Sequence, residues 1–371
     1  MLTGKERFAR ILRRQKVDRI GLFEVFWRET AQKWSQQGHF GAPETVGDHF
    51  RLDMLRTGGA TTPADWKLLD LTANVDAGSQ VLEETDVAKL IRDGNGAVMR
   101  WRKDGSGAPE HVDFLVKDRK GWEAHVRPYL IDSQTYEQRI DFQRYRETRA
   151  KCEREGVFFC AGAVAVFDLM SPMCGHENLL IGMAADPDWV RDMSGVYASI
   201  TVDLLEMLFD REGLPDGMWF WDDLGFKHGP FMSPAMYREL IFSSHRRLFE
   251  FAHSHGLPVI LHTDGMVEPL IPQLIEAGID CLQPLEVKAG MDLLRIKKDF
   301  GQRLALIGGM DARTLISNDR MQVREELDSK LPQAMAGSGY VLQADHSVPP
   351  QVRYETYRFF VEHGLQIGTY R

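Results

Sequence analysis

Apolar segments of strand length alternate with segments of helical periodicity along the last two thirds of the chain. The helical segments carry apolar residues at three- and four-residue spacing, as amphipathic helices do. Because a strand that is followed by a helix is usually continued by a parallel strand, this alternation predicts an α/β protein with a parallel sheet. The strand-like segments are 157–163, 217–223, 257–264, 279–286, 304–311 and 340–346.

The N-terminal part supplies two further strand candidates. An amphipathic helix at 3–15 leads into the apolar run IGLFEVFW, and a second candidate lies near Trp66, after helix and loop at 31–65. Eight strands in total predict a single eight-stranded parallel β/α (TIM) barrel over residues 1–371. An open doubly wound sheet is the alternative, although no GxGxxG motif follows a strand to indicate a dinucleotide site.

The pattern changes between about residues 76 and 122. Four short alternating runs, QVLEE, VAKLIRDG, AVMRWRKDG and HVDFLVKD, are separated by turn signals such as D-G and S-G, as in antiparallel hairpins. We expect a β-hairpin-rich insertion near the N-terminal third of the barrel domain. Its basic side chains are expected to face solvent, with contact to an anionic ligand as the alternative.

The apolar runs become polar over their last few residues. In a parallel barrel the carboxyl ends of all strands meet at one mouth. Buried acids and imidazoles need partners, a ligand or a metal, so we expect a majority of these residues to line a functional pocket. The structural alternatives are helix capping by Asp311 and backbone amide binding by one of the two adjacent aspartates. The strand-end residues are Glu24, Trp27, Arg28, Asp222, Asp223, His262, Asp264, Glu286, Asp311, Asp345 and His346.

The strand-end histidines are candidates for a metal site. His262 and Asp264 are two residues apart and would point to the same side of a strand. Together with His346, and with Glu286 as a further donor, they suit Zn²⁺, Fe²⁺ or Mn²⁺, and such an ion would activate a thiol or polarise a carbonyl. In the metal-free alternative, a carboxylate such as Asp223 stabilises a cationic intermediate and a histidine donates the proton.

Composition and charge narrow the expected partners. The chain has 371 residues and a formal net charge of −9, so a nucleic acid or an anionic membrane surface is not an expected partner. The start MLTGKERFARILRR lacks the apolar core of a signal peptide. We expect a soluble cytoplasmic protein with reduced thiols that acts on a small molecule. The cysteines, which show no CxxC spacing, are Cys152, Cys160, Cys174 and Cys281.

The sequence resembles the uroporphyrinogen decarboxylase superfamily over nearly its whole length. The resemblance rests on the order and spacing of KERFARILRRQKVDRI, FFCAGAVAVFDLMSPMCGHENLLIGMAADPDWV, WDDLGFKHGPFMSP and the block from LHTDGMVEPL to ALIGGMD. It implies a single β/α barrel with its site at the mouth. One branch of the superfamily decarboxylates the acetate arms of uroporphyrinogen without a cofactor. The other transfers a methyl group between a corrinoid and a thiol or similar acceptor, using zinc held by an H-x-C motif and a later cysteine.

The sequence departs from both branches. Where the decarboxylases have an arginine-rich motif for the substrate carboxylates, this chain has FEVFWRETAQKW, in which Arg28 is the remaining candidate. The methyltransferase pattern is matched at His262, but Asp264 stands at the first cysteine and His346 at the second. A carboxylate and an imidazole thus replace two soft thiolates, which gives a harder metal site.

The resemblance and the strand-end residues together predict an enzyme of one-carbon chemistry on a small organic substrate. The favoured hypothesis is methyl transfer with a corrinoid protein or a tetrahydrofolate-type carrier, in a chain that forms a homodimer as the superfamily often does. The alternatives are cofactor-free decarboxylation of a carboxylated aromatic or tetrapyrrole-like substrate, and a non-catalytic ligand-binding barrel. The assigned residues are His262, Asp264 and His346 for a divalent metal, zinc above all, then Asp223, Glu286 and His346 for catalysis, and Trp27, Arg28, Asp222 and Asp345 for substrate binding.

Overall fold

The computed structural model describes residues 1–57, 59–62, 68–74, 78–103 and 109–370. Eight parallel strands form a nearly closed barrel, in which consecutive strands of the chain are neighbours from the second to the eighth. The last barrel strand pairs with the first, so the predicted parallel β/α (TIM) barrel is confirmed. The barrel strands are β1 Gly21–Leu22, β2 Met54–Arg56, β3 Phe158–Val164, β4 Gly217–Trp221, β5 Val259–His262, β6 Cys281–Gln283, β7 Ala305–Ile307 and β8 Tyr340–Leu342.

Asp53 joins β1 to β2. Its backbone N–H donates to the Leu22 carbonyl at 2.9 Å, and the Leu22 N–H donates to its carboxylate at 2.8 Å. The same carboxylate accepts hydrogen bonds from the guanidinium groups of Arg7 and Arg19, each at 2.7 Å. This network holds together the two strands that the N-terminal part of the chain contributes.

Alternate residues of the strands point into the barrel, because successive side chains of a strand lie on opposite faces. The deeper inward positions are apolar: Met54, Phe158, Trp219, Ile260, Cys281, Ala305 and Val341. Two positions further along five of these strands, the inward residue instead lines the mouth: Arg56, Trp221, His262, Gln283 and Gln343. The strand period therefore carries polar groups from separate strands into one space.

An N-terminal helix, Gly4–Leu12, packs at the opposite end of the barrel. Thr3 caps it through a capping box with Glu6, which satisfies two backbone donors at the helix start. Phe8 and Ile11 are fully buried in the interior cluster, and the Phe8 ring lies 5.2 Å from that of Phe158 at the start of β3. The amino-terminal end of the barrel is thus filled with apolar side chains.

Helices surround the barrel and bury the outward faces of the strands in one large apolar core. Among the described residues, no helix has the length and apolar character that crossing a membrane requires. The further α-helices are Arg28–Gln36, Val46–His49, Arg119–His125, Arg127–Leu130, Phe142–Glu155, Val166–Cys174, His176–Ala185, Pro187–Glu212, Pro234–Leu240, Phe242–Ser254, Ile271–Ala277, Leu293–Phe300, Ala312–Ser317, Arg320–Ala334 and Tyr354–Ile367. The 3-10 helices are Ser133–Arg139, Glu268–Leu270 and Val287–Ala289.

The predicted hairpin insertion is confirmed as a four-stranded antiparallel sheet in sequential order. Basic side chains on it pair with acidic ones, as Lys89 and Lys103 do with Glu84. The end of the predicted interval folds instead as part of the helix Arg119–His125. The strands are Gln80–Glu84, Ala88–Arg92, Val98–Arg102 and Glu110–Asp113.

The predicted N-terminal strands need correction. The run IGLFEVFW contributes β1 to the barrel, but Phe26–Trp27 pairs with Thr61–Thr62 in a separate small sheet. The second barrel strand, β2, lies within 31–65, which was predicted as helix and loop, and the candidate near Trp66 falls outside the described residues. Because β2 has only three residues and ends on an arginine, it lacks the apolar run by which a buried strand is identified.

Candidate active site

A cavity of about 320 Å³ lies at the carboxyl-terminal mouth of the barrel. Its volume suits a small organic molecule. A larger cavity, of about 650 Å³, lies outside the barrel and is lined by the helices Arg28–Gln36 and Phe142–Glu155 and the segment after β2. The predicted strand-end residues that line a cavity line the one at the mouth, and none lines the larger cavity. The lining residues of the mouth cavity are Val25, Trp27, Arg56, Asp168, Trp221, Asp223, His262, Asp264, Gln283, Pro284, Gln343, His346 and Ser347.

Three side chains in this cavity form a ligand cluster. One ligand atom each from Asp223, His262 and Asp264 lies within 4.8 Å of the other two. The His262 Nε2 atom is 3.6 Å from Asp223 Oδ1 and 4.0 Å from Asp264 Oδ2. The other oxygen of Asp264 is buried and has no hydrogen-bond partner among the described residues. A buried carboxylate oxygen without a donor is costly unless a cation or a ligand satisfies it.

A third carboxyl group, that of Asp168, lies next to the cluster. Its Oδ2 accepts the backbone N–H of Asp223 at 3.0 Å, and its own N–H donates to Asp222 at 2.7 Å. Burial raises the pKa of Asp168 well above its usual range, and the carboxylates of Asp223 and Asp222 raise it further. Asp168 therefore holds its proton more tightly than an ordinary aspartate, and a bound cation would oppose this shift.

Burial also raises the pKa of Asp264, an increase that the His262 imidazole opposes and the Asp223 carboxylate reinforces. Close carboxylates cannot all ionise in a water-poor site unless positive charge is near. In this cluster, therefore, either a carboxyl group keeps its proton or a cation is bound.

A chain of amide side chains orients the His262 imidazole. Its Nδ1–H donates to Gln283 Oε1 at 2.5 Å, and the Gln283 Nε2–H donates to Gln343 Oε1 at 2.9 Å. With Nδ1 committed to an amide oxygen, the Nε2 atom faces the carboxylates of the cluster. A metal-binding histidine is held in one orientation by this kind of hydrogen bond to its second nitrogen.

The amide chain ends on Glu24, which is fully buried. Its carboxyl group accepts hydrogen bonds from the Gln343 side chain and from the backbone of Val25 and Ala344. Burial nevertheless raises the pKa of Glu24 to about 8. Glu24 thus supports the cavity from below without lining it.

The donor set fits a divalent cation. One imidazole nitrogen and two carboxylates are ligands that Zn²⁺, Fe²⁺ and Mn²⁺ accept. Ligand atoms about 2.0–2.2 Å from a tetrahedral zinc ion are roughly 3.3–3.6 Å apart, close to the 3.6 and 4.0 Å that separate His262 Nε2 from the two aspartates. The structure brings Asp223, rather than the predicted His346, into this set; His346 lines the same cavity outside the cluster.

Other predicted site residues hold the surrounding loops and do not line the cavity. Asp222 is fully buried and accepts a hydrogen bond from His245 at 2.6 Å, and the second nitrogen of His245 contacts the Tyr237 hydroxyl at 2.9 Å. Asp345 accepts the backbone N–H groups of Val287 and Ala312, each at 2.7 Å. The carboxylates of Asp222 and Asp345, which are predicted to bind substrate, thus accept hydrogen bonds from other groups of the protein.

Glu286 and Arg28 also lie outside the lining. Glu286 accepts the N–H of Gly265 at 2.7 Å and pairs with Lys288 at 2.8 Å. Arg28 is exposed at the start of the helix Arg28–Gln36, while Trp27 beside it lines the cavity. Asp311 caps the helix Ala312–Ser317, which matches the structural alternative for that residue.

Sequence reasoning missed five polar lining residues: Arg56, Asp168, Gln283, Gln343 and Ser347. Gln283 and Gln343 each lie two residues after an inward-facing residue of β6 or β8. The alternation of side chains along a strand would therefore have revealed them. Asp168 carries no such signal, because it lies in the helix Val166–Cys174 after β3.

Comparison with known proteins places the chain among its relatives. The family model for uroporphyrinogen decarboxylase (URO-D) matches residues 137–364, more than half of the chain. A methyltransferase from Methanosarcina mazei has a similar fold, with a TM-score of 0.69, 17% identity and 99% of each chain covered. The match to a Xaa-Pro dipeptidase with bound methionine in the active site covers 62% of this chain and 59% of the dipeptidase, at 13% identity and a TM-score of 0.29. No curated protein sequence matches the chain.

Proposed function

This chain belongs to the uroporphyrinogen decarboxylase family, and from that premise we propose that it transfers a methyl group between a small organic substrate and a corrinoid- or tetrahydrofolate-type carrier. The observation that carries the proposal is the cluster of Asp223, His262 and Asp264 at the barrel mouth. The methyltransferase that shares the fold over 99% of both chains supports this chemistry as one that the scaffold accommodates.

The cluster is proposed to hold a divalent metal, zinc in the first instance. When bound, the ion would coordinate the heteroatom of the substrate and make it a better nucleophile near neutral pH. Asp223 and Asp264 supply the negative charge that such an ion needs, and the amide chain from Gln283 keeps the Nε2 of His262 turned towards it.

Side chains around the cluster are proposed to handle the substrate and its proton. In the transfer, the substrate heteroatom loses its proton and forms the bond to the methyl carbon, while the carrier retains the electron pair of the bond that breaks. His346 is the imidazole that lines the cavity outside the cluster, so it is the proposed proton acceptor. Trp27 and Trp221 form apolar walls of the cavity, which exclude water from the reacting groups.

Metal content and its dependence on the cluster test this proposal. Protein purified without added metal is expected to contain about one equivalent of a divalent transition metal, and His262→Ala or Asp264→Asn should lose most of it. Asp292→Asn, at an exposed helix N-cap away from the mouth, is the matched control and should keep it. Less than about 0.2 equivalents in the wild type, or unchanged content in both cluster variants, would contradict the proposal.

Cofactor-free decarboxylation is the second candidate, and the position of Asp168 supports it. Asp168, whose pKa is raised by burial, is the proposed acid beside Asp223. The bond from the substrate carbon to its carboxyl group would break, carbon dioxide would leave, and the electron pair left on carbon would take a proton from Asp168 or His346. Carbon dioxide release by metal-free protein, lost in Asp223→Asn, would favour this candidate over methyl transfer.

A further inference from the structure

Arg56, the last residue of β2, is a buried cation in the wall of the mouth cavity. It is 5% exposed and lines the same space as the ligand cluster. Its strand alternation explains this position, because Met54 two residues earlier points into the apolar interior of the barrel. A guanidinium group at this depth is unusual unless an anion accompanies it.

No carboxylate accompanies Arg56 in the part of the chain that the structure describes. Its Nε–H is buried without a hydrogen-bond acceptor among those residues. Burial lowers the pKa of Arg56 to about 10, and the carboxylates of the cavity do not offset that loss. By contrast, the buried Arg7 pairs with both Asp18 and Asp53.

Aromatic rings are the described neighbours that face the Arg56 charge. The guanidinium carbon lies 5.2 Å from the Trp221 ring centroid, 5.3 Å from that of Trp219 and 5.9 Å from that of Phe23. Such contacts stabilise a cation through the negative faces of the rings. They do not satisfy the Nε–H group, for which a planar anion would supply an acceptor.

We propose that Arg56 binds a carboxylate group of the substrate. The cavity would then accept a small organic acid, with its carboxylate at Arg56 on β2 and its reacting group at the cluster by the carboxyl ends of β4 and β5. Arg56 and His262 stand three strands apart around the barrel. A molecule that fits the cavity of about 320 Å³ can reach both. The rings of Trp219 and Trp221 beside Arg56 favour a flat, apolar body next to the carboxylate.

That the bound acid is a substrate rests on the proposed function. Binding of an anion at Arg56, however, can be measured without turnover. The probe is benzoate, with benzamide as a neutral molecule of the same shape and inorganic phosphate as a second anion. Binding is measured by calorimetry and by tryptophan fluorescence on chelator-treated protein. The wild type is expected to bind benzoate at least about tenfold more tightly than benzamide or phosphate. Benzamide lacks the negative charge of the bidentate contact, and phosphate lacks the flat apolar ring that the tryptophans would cover.

Arg56→Met removes the charge at nearly constant length. The variant is expected to weaken benzoate binding at least about tenfold and to leave its affinity for benzamide unchanged. Its melting temperature should stay level or rise, because an unpaired buried cation is replaced by an apolar side chain. Arg7→Met is the matched control: it removes a paired buried arginine, so its melting temperature should fall while benzoate binding persists.

Equal affinity of the wild type and Arg56→Met for benzoate would overturn the assignment, and so would equal affinity of the wild type for benzoate and benzamide, or tighter binding of phosphate. A lower melting temperature for Arg56→Met with unchanged benzoate binding would show a purely structural arginine. Because the protein is metal-free in this experiment, benzoate binding without any metal occupancy in the native protein would leave the Arg56 assignment standing and remove the methyl-transfer proposal.

Discussion

At the residue scale, the orientation of the His262 imidazole depends on side chains that do not belong to the ligand cluster. His262 keeps one nitrogen towards the cluster because Gln283 occupies the other, and Gln283 is held in turn by Gln343 and the buried Glu24. Each amide uses its oxygen and its nitrogen once, so the orientation of one residue fixes the next. The placement of the imidazole is therefore a property of the whole chain of residues.

Glu24 gives this chain of residues a measurable pH dependence. Its pKa is 4.5 in the reference state and about 8 when folded, so the folded protein binds more protons than the unfolded chain between these values. The stability from this group is complete below about pH 4.5 and falls as pH rises towards 8, by at most about 5 kcal/mol. In Glu24→Gln the side chain cannot ionise, and the free energy of unfolding should fall less between about pH 5 and 8. Urea titrations across that range measure the difference; parallel curves for the two proteins would contradict the raised pKa.

The residues of the site differ in how far the sequence reveals them. Asp223, His262, Asp264 and His346 follow apolar runs, and a polar side chain at the end of a buried strand is conspicuous. Arg56 follows only two apolar residues, in MLR, and nothing in so short a run shows that the arginine is buried. What decides its burial is the packing of aromatic rings from other strands around it, which no local pattern contains.

At the element scale, the width of the cavity depends on a glycine in β3. Gly162 leaves room for the Trp221 side chain of the next strand: a Cβ atom on Gly162 would lie 2.5 Å from the Trp221 ring and 3.1 Å from the Thr57 hydroxyl. The Gly162 N–H donates a hydrogen bond to that hydroxyl at 3.1 Å. The two strands can keep their register only while the indole lies over the glycine.

Gly162→Ala tests this packing. The added methyl group must displace the Trp221 ring or spread the strands, so we expect a loss of about 1–3 kcal/mol in the free energy of unfolding and an altered near-ultraviolet circular dichroism signal. Gly195→Ala, in the helix Pro187–Glu212 with nothing close to the new Cβ, should instead gain about 0.5–1 kcal/mol. Equal effects of the two substitutions would argue against the proposed contact.

The sequence reveals six of the barrel strands more clearly than the other two, for a physical reason. β3 to β8 lie in apolar runs that the barrel interior and the outer helices bury on both sides, and such runs are visible without any tertiary information. β1 and β2 are two and three residues long, and long-range hydrogen bonds such as those of Asp53 define them. Short strands of this kind are identified only when their partners are known.

At the scale of the whole molecule, the mouth depends on closure of the ring on the side of β1 and β2. Asp53 holds these two strands together, because its carboxylate accepts the backbone N–H of Leu22 and pairs with Arg7 and Arg19. Arg7 comes from the N-terminal helix, so the same carboxylate also anchors the helix that fills the far end of the barrel.

Asp53→Asn should therefore destabilise the entire fold. The variant leaves a buried arginine with one partner fewer, and we expect a loss of about 3 kcal/mol or more in the free energy of unfolding. Asp292→Asn, which keeps a good N-cap on an exposed helix, should change it by less than about 0.5 kcal/mol. Chemical denaturation followed by far-ultraviolet circular dichroism provides both values, and a wild-type midpoint for Asp53→Asn would contradict the role of this network.

The proposed chemistry depends on whether Asp223, His262 and Asp264 bind one metal ion between them. The most direct measurement is an anomalous difference map from crystals of protein purified without added metal, recorded on both sides of the zinc absorption edge. We expect a single peak within about 2.3 Å of His262 Nε2 and of one oxygen from each aspartate. A map without a peak at the mouth, or with the ion bound away from His262, would contradict it.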